Sequence, residues 1–155
     1  MLGTSVIKKI LVAIDGSENS VKALDFALEM CEKYDANLKV VNVAESPAIS
    51  AVPQDTTTIS PESMIVFSKD LDQMHQEILK KALDHAQKVK PNIAITAKLR
   101  EGVVASEIVA EAKESASDIV VIGHKGVGKV KELLGLGGSS EKVAHLAHCP
   151  VVIVR

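Results

Sequence analysis

A glycine-rich window from Gly123 to Gly138 holds the residues whose types and spacing are best suited to chemistry. It contains six of the nine glycines of the chain. An apolar, strand-like run, residues 119–122, precedes the window, and a helix-like run beginning at Ser139 follows it. Glycine lets backbone N–H groups come close to an anion, and a helix N-terminus adds free N–H groups and partial positive charge. The window therefore predicts a site for a phosphorylated ligand, and a nucleotide is the favoured class.

Comparison with known phosphate loops narrows this prediction. Gly123-x4-Gly128-Lys129 matches the start of a P-loop, but Val130 stands where a Ser or Thr would hold Mg²⁺. The window follows the fourth predicted strand rather than the first, and no G-x-G-x-x-G fingerprint can be aligned within it. A P-loop NTPase is therefore disfavoured. A loop whose glycines only make turns remains the alternative, against which stands the clustering of glycines with lysines.

The composition limits the other function classes. A chain of 155 residues fits one domain, 1–155, and 46% apolar content with only 2% aromatic residues predicts an aliphatic core. A net charge of −2 and the scarcity of aromatic side chains argue against a nucleic-acid partner. Two cysteines, Cys31 and Cys149, suit a reducing compartment, and the apolar run Ile10–Ile14 is too short for a signal peptide or a membrane span. The predicted location is the cytoplasm.

Strand-like and helix-like patterns alternate along the chain. Strands are predicted over residues 7–15, 37–44, 92–99, 118–122 and 150–154. Helices are predicted after the capping residue Ser17, from Pro61 to Pro91, over 103–115 and over 139–147, and residues 45–60 are expected to form a mobile loop. In the helices, the inward positions are expected to be Val21, Leu24, Leu28 and Cys31, then Leu71, Met74, Ile78, Ala82, Ala86 and Val89. In the third strand, Ile93, Ile95, Ala97 and Leu99 are expected to face inward.

This alternation predicts an α/β fold, a five-stranded parallel sheet with helices on both faces. Ligands of such sheets lie beyond the carboxyl ends of the strands, where the winding reverses. The loops suited to this are those after the first and fourth strands, and if these strands are neighbours the order is 3-2-1-4-5. The third strand would then be an edge protected by outward-facing Lys98 and Arg100. The other edge, Val151–Val154, is continuously apolar, which predicts a homodimer paired antiparallel through it.

The chain resembles the universal stress proteins, in particular their ATP-binding branch, over essentially its whole length. The resemblance rests on the opening KKILVAIDGSENS, the second strand VVNVAE and the end VVIGHKG…GSSEKVAHLAHCPVVIVR. The nucleotide pattern of that family is Gly-x2-Gly-x9-Gly-Ser/Thr. Here Gly123-x2-Gly126 matches the first part of the pattern. Ten residues instead of nine separate Gly126 from Gly137, and Gly138 stands at the Ser/Thr position. The resemblance implies a Rossmann-like fold that binds an adenine nucleotide, ATP or ADP or AMP, with Mg²⁺, and a dimer through the last strand.

The resemblance also implies roles for individual residues near the base and the sugar. Ala13 and Asp15 would line the adenine and the ribose, with Asp15 accepting a hydrogen bond from a ribose hydroxyl. Val43 would offer its backbone polar groups to the adenine edge. Gly123 and Gly126 would pass close to the ribose and the α-phosphate. An acid that only forms a turn is the alternative for Asp15.

The phosphate end would be held by the second half of the window. Gly137, Gly138, Ser139 and Ser140 would supply N–H groups, and the serines also hydroxyls, to the β- and γ-phosphates. His124 and Lys125, at the other end of the window, are the candidates for neutralising phosphate charge, and a solvated loop histidine is the alternative for His124. A plain helix cap is the alternative for Ser139 and Ser140.

No catalytic or metal-binding pattern stands beside this candidate binding site. The sequence has no Ser-His-Asp pattern and no paired carboxylates, and the spacing of His145 and His148 is not completed by an acid or a cysteine. No catalytic residue and no metal ligand are predicted. Two functions remain open: a nucleotide-binding module in stress response or signalling, which is favoured, and a slow ATPase or phosphotransferase that uses the same pocket. A receiver domain would need paired acids after the first strand, where only Asp15 stands.

Overall fold

Alternating strands and helices build an α/β fold in the computed structural model, which describes residues 6–45, 61–124 and 138–155, with backbone only over 61–71. The strands are β1 (Lys9–Ala13), β2 (Asn37–Ala44), β3 (Ile95–Glu101), β4 (Ile119–Gly123) and β5 (Val151–Val154). The helices are α1 (Glu18–Tyr34), α2 (Pro61–Val89), α3 (Val104–Glu114) and α4 (Ser139–Leu146). The predicted alternation is confirmed, while residues 46–60 of the predicted loop over 45–60 lie outside the described residues.

The five strands form one parallel sheet in the order β3-β2-β1-β4-β5, as predicted. Ile10 is paired with Leu38 on one side and with Ile119 on the other, so β1 is the central strand. The Asp118 carboxylate fixes the start of this pairing by accepting hydrogen bonds from the N–H groups of Lys8 and Lys9, at 2.8 and 2.9 Å. The winding reverses between β1 and β4, and this places a crevice at their carboxyl ends.

Side chains alternate between the two faces of the sheet, and each face is covered by two helices. Ile10, Val12 and Val40 pack with α1 and α2 in one buried cluster. Leu11, Val41 and Val120 pack with α3 and α4 in the other. Central strands buried on both faces explain the continuous apolar runs of the sequence.

Several sequence-predicted boundaries and inward positions are wrong. β1 ends at Ala13, so Asp15 lies in the turn after it, and β3 begins only at Ile95. Val21, Met74 and Val89 were expected inside but are 43%, 49% and 46% exposed, and Ala97 is also exposed. In α1 and α2, buried alanines at 23, 27, 82 and 86 take up much of the contact with the sheet, because a small side chain lets a helix approach closely. Leu71 is among the residues whose side chains are not described.

Arg100 is not an outward-facing edge charge, contrary to the sequence prediction. Its side chain is 15% exposed, and its guanidinium donates to Glu107, Glu111 and Glu114 of α3 at 2.7, 2.7 and 2.9 Å. These hydrogen bonds, with Glu114 and Glu107 contributing most, raise the pKa of Arg100 further above its already high value. The prediction failed because α3 carries carboxylates on the side that faces β3, so the charge is paired within the chain.

Glu111 is the buried member of this ion-pair cluster. Its side chain is 2% exposed and also accepts from Lys39 Nζ at 2.5 Å. Burial alone would raise the pKa of the Glu111 carboxyl, but the hydrogen bonds from Lys39 and Arg100 outweigh burial and hold that pKa below its ordinary value. Glu111 is therefore a carboxylate that ties α3 to both β2 and β3.

The two cysteines are free thiols. Cys31, on the buried face of α1, is 1% exposed, and burial raises its pKa to about 12. Cys149 is half-buried, and burial, with the nearby Asp118 charge, raises its pKa as well.

Candidate functional site

The turn that follows β1 presents Asp15 at the carboxyl edge of the sheet. Asp15 Oδ1 accepts a hydrogen bond from the Ser17 N–H at 2.9 Å, and Gly16 between them has a φ of 85°, which glycine adopts without strain. Ser17 then caps α1, as predicted, because its Oγ accepts from the Ser20 N–H at 3.2 Å. Asp15 therefore does form a turn, as the alternative interpretation expected, and the hydrogen bond from Ser17 holds its carboxylate in a defined position.

Val43 lies on β2 beside this turn. In the parallel ladder, the Val41 carbonyl accepts from the Ile14 N–H at 2.9 Å. Backbone groups of alternate strand residues point to the same neighbour, so the N–H and C=O of Val43 are directed to the same side, beyond the last β1 residue, Ala13. The family resemblance described in the sequence analysis implies a backbone contact between Val43 and the adenine edge, and Val43 lies in a position suited to it.

Gly123 ends β4 and lies against the first turn of α1. A Cβ at this position would be 2.8 Å from the backbone oxygen of Asn19 and 2.9 Å from its carbonyl carbon. The residue must therefore be glycine for close packing of β4 on α1, whether or not a ligand also approaches it. The sequence prediction gave Gly123 only the ligand role.

The N-terminus of α4 lies beside His124, the residue that follows β4. Ser140 Oγ donates to the His124 carbonyl at 3.4 Å, and Ser140 is 5% exposed. Gly138 is the N-cap, so neither Ser139 nor Ser140 has the plain capping role that was the alternative for them. Ser139, the first helical residue, is exposed. Of the two predicted serine hydroxyls, that of Ser140 is engaged within the protein, and that of Ser139 is at the surface.

The described members of the predicted site share the carboxyl edge of the sheet around β1 and β4. Asp15 follows β1, Val43 is near the end of β2, and Gly123 ends β4. Both β2 and β4 pair with β1. Adjacent strands lie about 4.8 Å apart, so these residues border one crevice. The hydrogen bond from Ser140 brings the start of α4 to the same edge. Lys125, Gly126 and Gly137 lie outside the described residues.

Two polar residues near this edge were missed by the sequence analysis. Asn42 is 1% exposed, its Nδ2 donates to the Ile14 carbonyl at 2.6 Å, and its Oδ1 is hydrogen-bonded to His75 Nδ1 of α2. An amide side chain inside the apolar run VVNVA was the available signal, because a buried amide requires partners. Its partner could not be found from the sequence, since His75 lies 33 residues away on an amphipathic helix.

Within the described ranges, no group of three or more His, Cys, Asp or Glu side chains is arranged to hold a metal ion. His145 and His148 are both exposed. Nor does any helix of the described part combine the length and apolar character that crossing a bilayer requires.

Comparisons with known proteins agree with this architecture. The family model described as "Universal stress protein family" matches residues 7–155. Universal stress protein YxiE of Bacillus subtilis is 32% identical over 155 residues, covering 97% of this chain and 100% of the relative. Among solved structures, universal stress protein UspA from Lactobacillus plantarum has a TM-score of 0.76 at 22% identity, covering 97% of this chain and 99% of that one.

Two further structural neighbours contain nucleotides. A universal stress protein solved in complex with cAMP has a TM-score of 0.69 at 22% identity, covering 97% of this chain and 98% of that one. The universal stress protein from Archaeoglobus fulgidus in complex with dAMP has a TM-score of 0.62 at 21% identity, covering 97% and 100% of the two chains. At these identities the structural likeness establishes a shared fold. The family model and the sequence relative go further, and on their evidence this chain belongs to the universal stress protein family.

Proposed function

We propose that this chain binds an adenine nucleotide, ATP or its di- or monophosphate, together with Mg²⁺, in the crevice between the carboxyl ends of β1 and β4. The observation that carries the proposal is that the Asp15 turn, which follows β1, and the N-terminus of α4, which is bonded to the residue after β4, lie at the same edge of the sheet. Two neighbours of the same fold were solved with cAMP and with dAMP, both adenine nucleotides. The position of the crevice and the ligands of these two neighbours both favour an adenine nucleotide.

Each part of the nucleotide has a chemically suitable group in the described residues. The backbone polar groups of Val43 suit the adenine edge, and the Asp15 carboxylate, held by the Ser17 N–H, suits a ribose hydroxyl. The N-terminal end of α4, with its partial positive charge and exposed Ser139, suits phosphate oxygens. Gly123 lets the end of β4 pack closely on α1 beside the crevice, since any side chain there would meet the Asn19 backbone.

We infer that the role of the bound nucleotide is signalling through a homodimer rather than rapid turnover. The proposal of negligible hydrolysis rests on the proposed role of the Asp15 carboxylate as a ribose ligand, which would keep it away from a terminal phosphate. The proposed location is the cytoplasm, which two free thiols suit. A phosphate-release assay tests the absence of turnover, and robust hydrolysis abolished by Asp15→Ala would favour an enzyme instead.

Nucleotide binding is expected to raise the thermal stability of the protein. At a ligand concentration 100 times the Kd, stabilisation is about 2.7 kcal/mol. For a chain of this length that corresponds to a Tm increase of roughly 5–10 °C. Thermal melts with ATP, ADP, AMP and GTP, each with and without Mg²⁺, measure it. The absence of any shift with millimolar adenine nucleotides would contradict the proposed function.

The proposed dimer uses β5, the sheet edge that the described residues leave half-exposed. All four residues of Val151–Val154 are only half-buried although all are aliphatic, and Leu146 nearby is 60% exposed. An uncovered apolar edge favours pairing with a second copy. Light scattering is expected to show a dimer for the wild type and for Ala97→Lys, which charges the opposite edge, but a monomer for Ile153→Lys. A monomeric wild type, or a dimeric Ile153→Lys with native circular dichroism, would count against this interface.

A further inference from the structure

Helix α2 is connected to the Asp15 turn by two residues one helical turn apart, one through an intermediate side chain and one by direct packing. His75 reaches the residue before Asp15 through Asn42, and Ile78 packs against the residue after it. The position of a Cβ on Gly16 would be 3.3 Å from Ile78 Cδ1, so the Ile78 side chain lies directly over Gly16. The proposed ribose-binding carboxylate is thus bracketed by contacts from a helix that contributes no predicted ligand contact.

In the hydrogen bonds that connect His75, Asn42 and Ile14, the donor and acceptor of each bond follow from the chemistry of the groups. The Ile14 carbonyl can only accept, so the Asn42 side chain must present its NH₂ group to Ile14, at 2.6 Å. Its Oδ1 then faces His75 and can only accept. His75 must therefore carry a proton on Nδ1 and donate it to Asn42.

Asn42 depends on His75 because it has almost no contact with solvent. At 1% exposure, its Oδ1 would lose its partner if the His75 donor were removed, and an unpaired buried polar group is costly. The amide would then be free to rotate away from Ile14. The Ile14 carbonyl is the last backbone group before Asp15, so its orientation sets the start of the turn that carries the carboxylate.

We propose that His75 is a positioning residue for nucleotide binding: through Asn42 it fixes the Ile14 carbonyl and hence the Asp15 turn, while Ile78 holds the same turn from above. This inference rests on the proposed function for its ligand. The inference gives α2 an effect on nucleotide affinity although this helix makes no proposed contact with the nucleotide. Ligand binding, which orders the Asp15 turn further, in return stabilises the middle of α2.

Three variants test the role of the His75 donor. His75→Leu removes it, while His75→Asn keeps an N–H donor near the position of Nδ1. His85→Leu is the matched control, because His85 lies on the same helix and also makes one side-chain hydrogen bond, to Asp25 at 2.6 Å. Titration with the adenine nucleotide that gives the largest thermal shift is expected to show a Kd weakened on the order of tenfold in His75→Leu. His75→Asn and His85→Leu are expected to bind within about twofold of the wild type.

A second readout needs no ligand. The Ser17 amide donates to Asp15 Oδ1, so its hydrogen exchange, followed by NMR, reports the order of the turn directly. In the nucleotide-free protein it is expected to exchange on the order of tenfold faster in His75→Leu and at the wild-type rate in His75→Asn and His85→Leu.

The two readouts separate the inference from the proposed function. If the wild type binds no nucleotide, the proposed function fails, and the Ser17 exchange rates still decide whether His75 orders the turn. Wild-type Ser17 exchange in His75→Leu would overturn the inference. So would equal loss of affinity in His75→Asn and His75→Leu, since the hydrogen-bond donor would then not be the cause.

Discussion

Glu111→Gln is expected to lower the free energy of unfolding by about 3 kcal/mol, the scale on which removing one partner of a buried ion pair destabilises a protein. The glutamine keeps the shape of the side chain, so packing is preserved and only the charge is lost. Lys39 and Arg100 then face each other across a neutral, 2% exposed group. Urea unfolding at pH 7 measures the difference.

Glu114→Gln is the matched control for Glu111→Gln. Glu114 bonds to the same Arg100 Nη1 atom, at 2.9 Å, but its side chain is 66% exposed. An exposed pair contributes about 0–1 kcal/mol, so this variant is expected to unfold close to the wild type. Equal losses in the two variants would show that burial of Glu111 does not determine its contribution.

The contribution of Glu111 is also expected to depend on pH with a defined sign. The pKa of Glu111 is lowered in the folded protein, so the carboxylate stabilises the fold fully above its unfolded-state pKa. That stabilisation is lost as the pH falls through the lower, folded-state pKa, where the carboxyl becomes protonated. The difference in unfolding free energy between wild type and Glu111→Gln should therefore be largest near pH 7 and narrow in acid. A difference that stays constant down to the acid unfolding transition would contradict the assigned pKa direction.

Gly123→Val is expected to lower the free energy of unfolding by about 3 kcal/mol, at the upper end of typical overpacking costs. Its Cβ would stand 2.8 Å from the Asn19 backbone oxygen, and the first turn of α1 cannot withdraw without breaking the packing of α1 on β4. Thermal and urea unfolding measure the loss in the absence of any nucleotide.

A second substitution identifies the cause of the Gly123→Val loss. The nearest atoms of Asn19 are backbone atoms, at 2.8 and 2.9 Å, whereas its Cβ is at 3.2 Å. Asn19→Gly in the Gly123→Val background is therefore expected to leave the protein no more stable than Gly123→Val alone. Restored stability in the double variant would mean that the side chain, not the helix backbone, is the obstacle.

The order of the sheet could be predicted from the sequence because each element carries its own local pattern. Buried parallel strands appear as apolar runs, and the Asp-Gly-Ser sequence at residues 15–17 marks a turn and a helix cap, both of which the structure contains. The order 3-2-1-4-5 required one further assumption, that the first and fourth strands, which both precede loops suited to a ligand, are neighbours, and the structure bears it out.

What the sequence did not predict are contacts between distant elements. Arg100 was expected to face solvent because a charge on an edge strand usually does, and only the fold shows that three glutamates of α3 lie beside it. The bond from His75 to Asn42 spans 33 residues, and the clash that requires glycine at position 123 involves a helix more than 100 residues earlier. Local patterns carry no information about such pairs.

The pairing of β1 with β4 has a consequence for how the chain folds during synthesis. The Asp118 carboxylate and the N–H of Lys8 are 110 residues apart in sequence, yet they start the central pair of strands. A ribosome adds about 5–20 residues per second, so β1 waits roughly 5–20 s for β4 to be translated. During that interval β1 can pair with β2, but the edge of this central strand that pairs with β4 is open. A nascent chain halted before residue 119 should therefore present this edge to chaperones, and completion of β4 should release it.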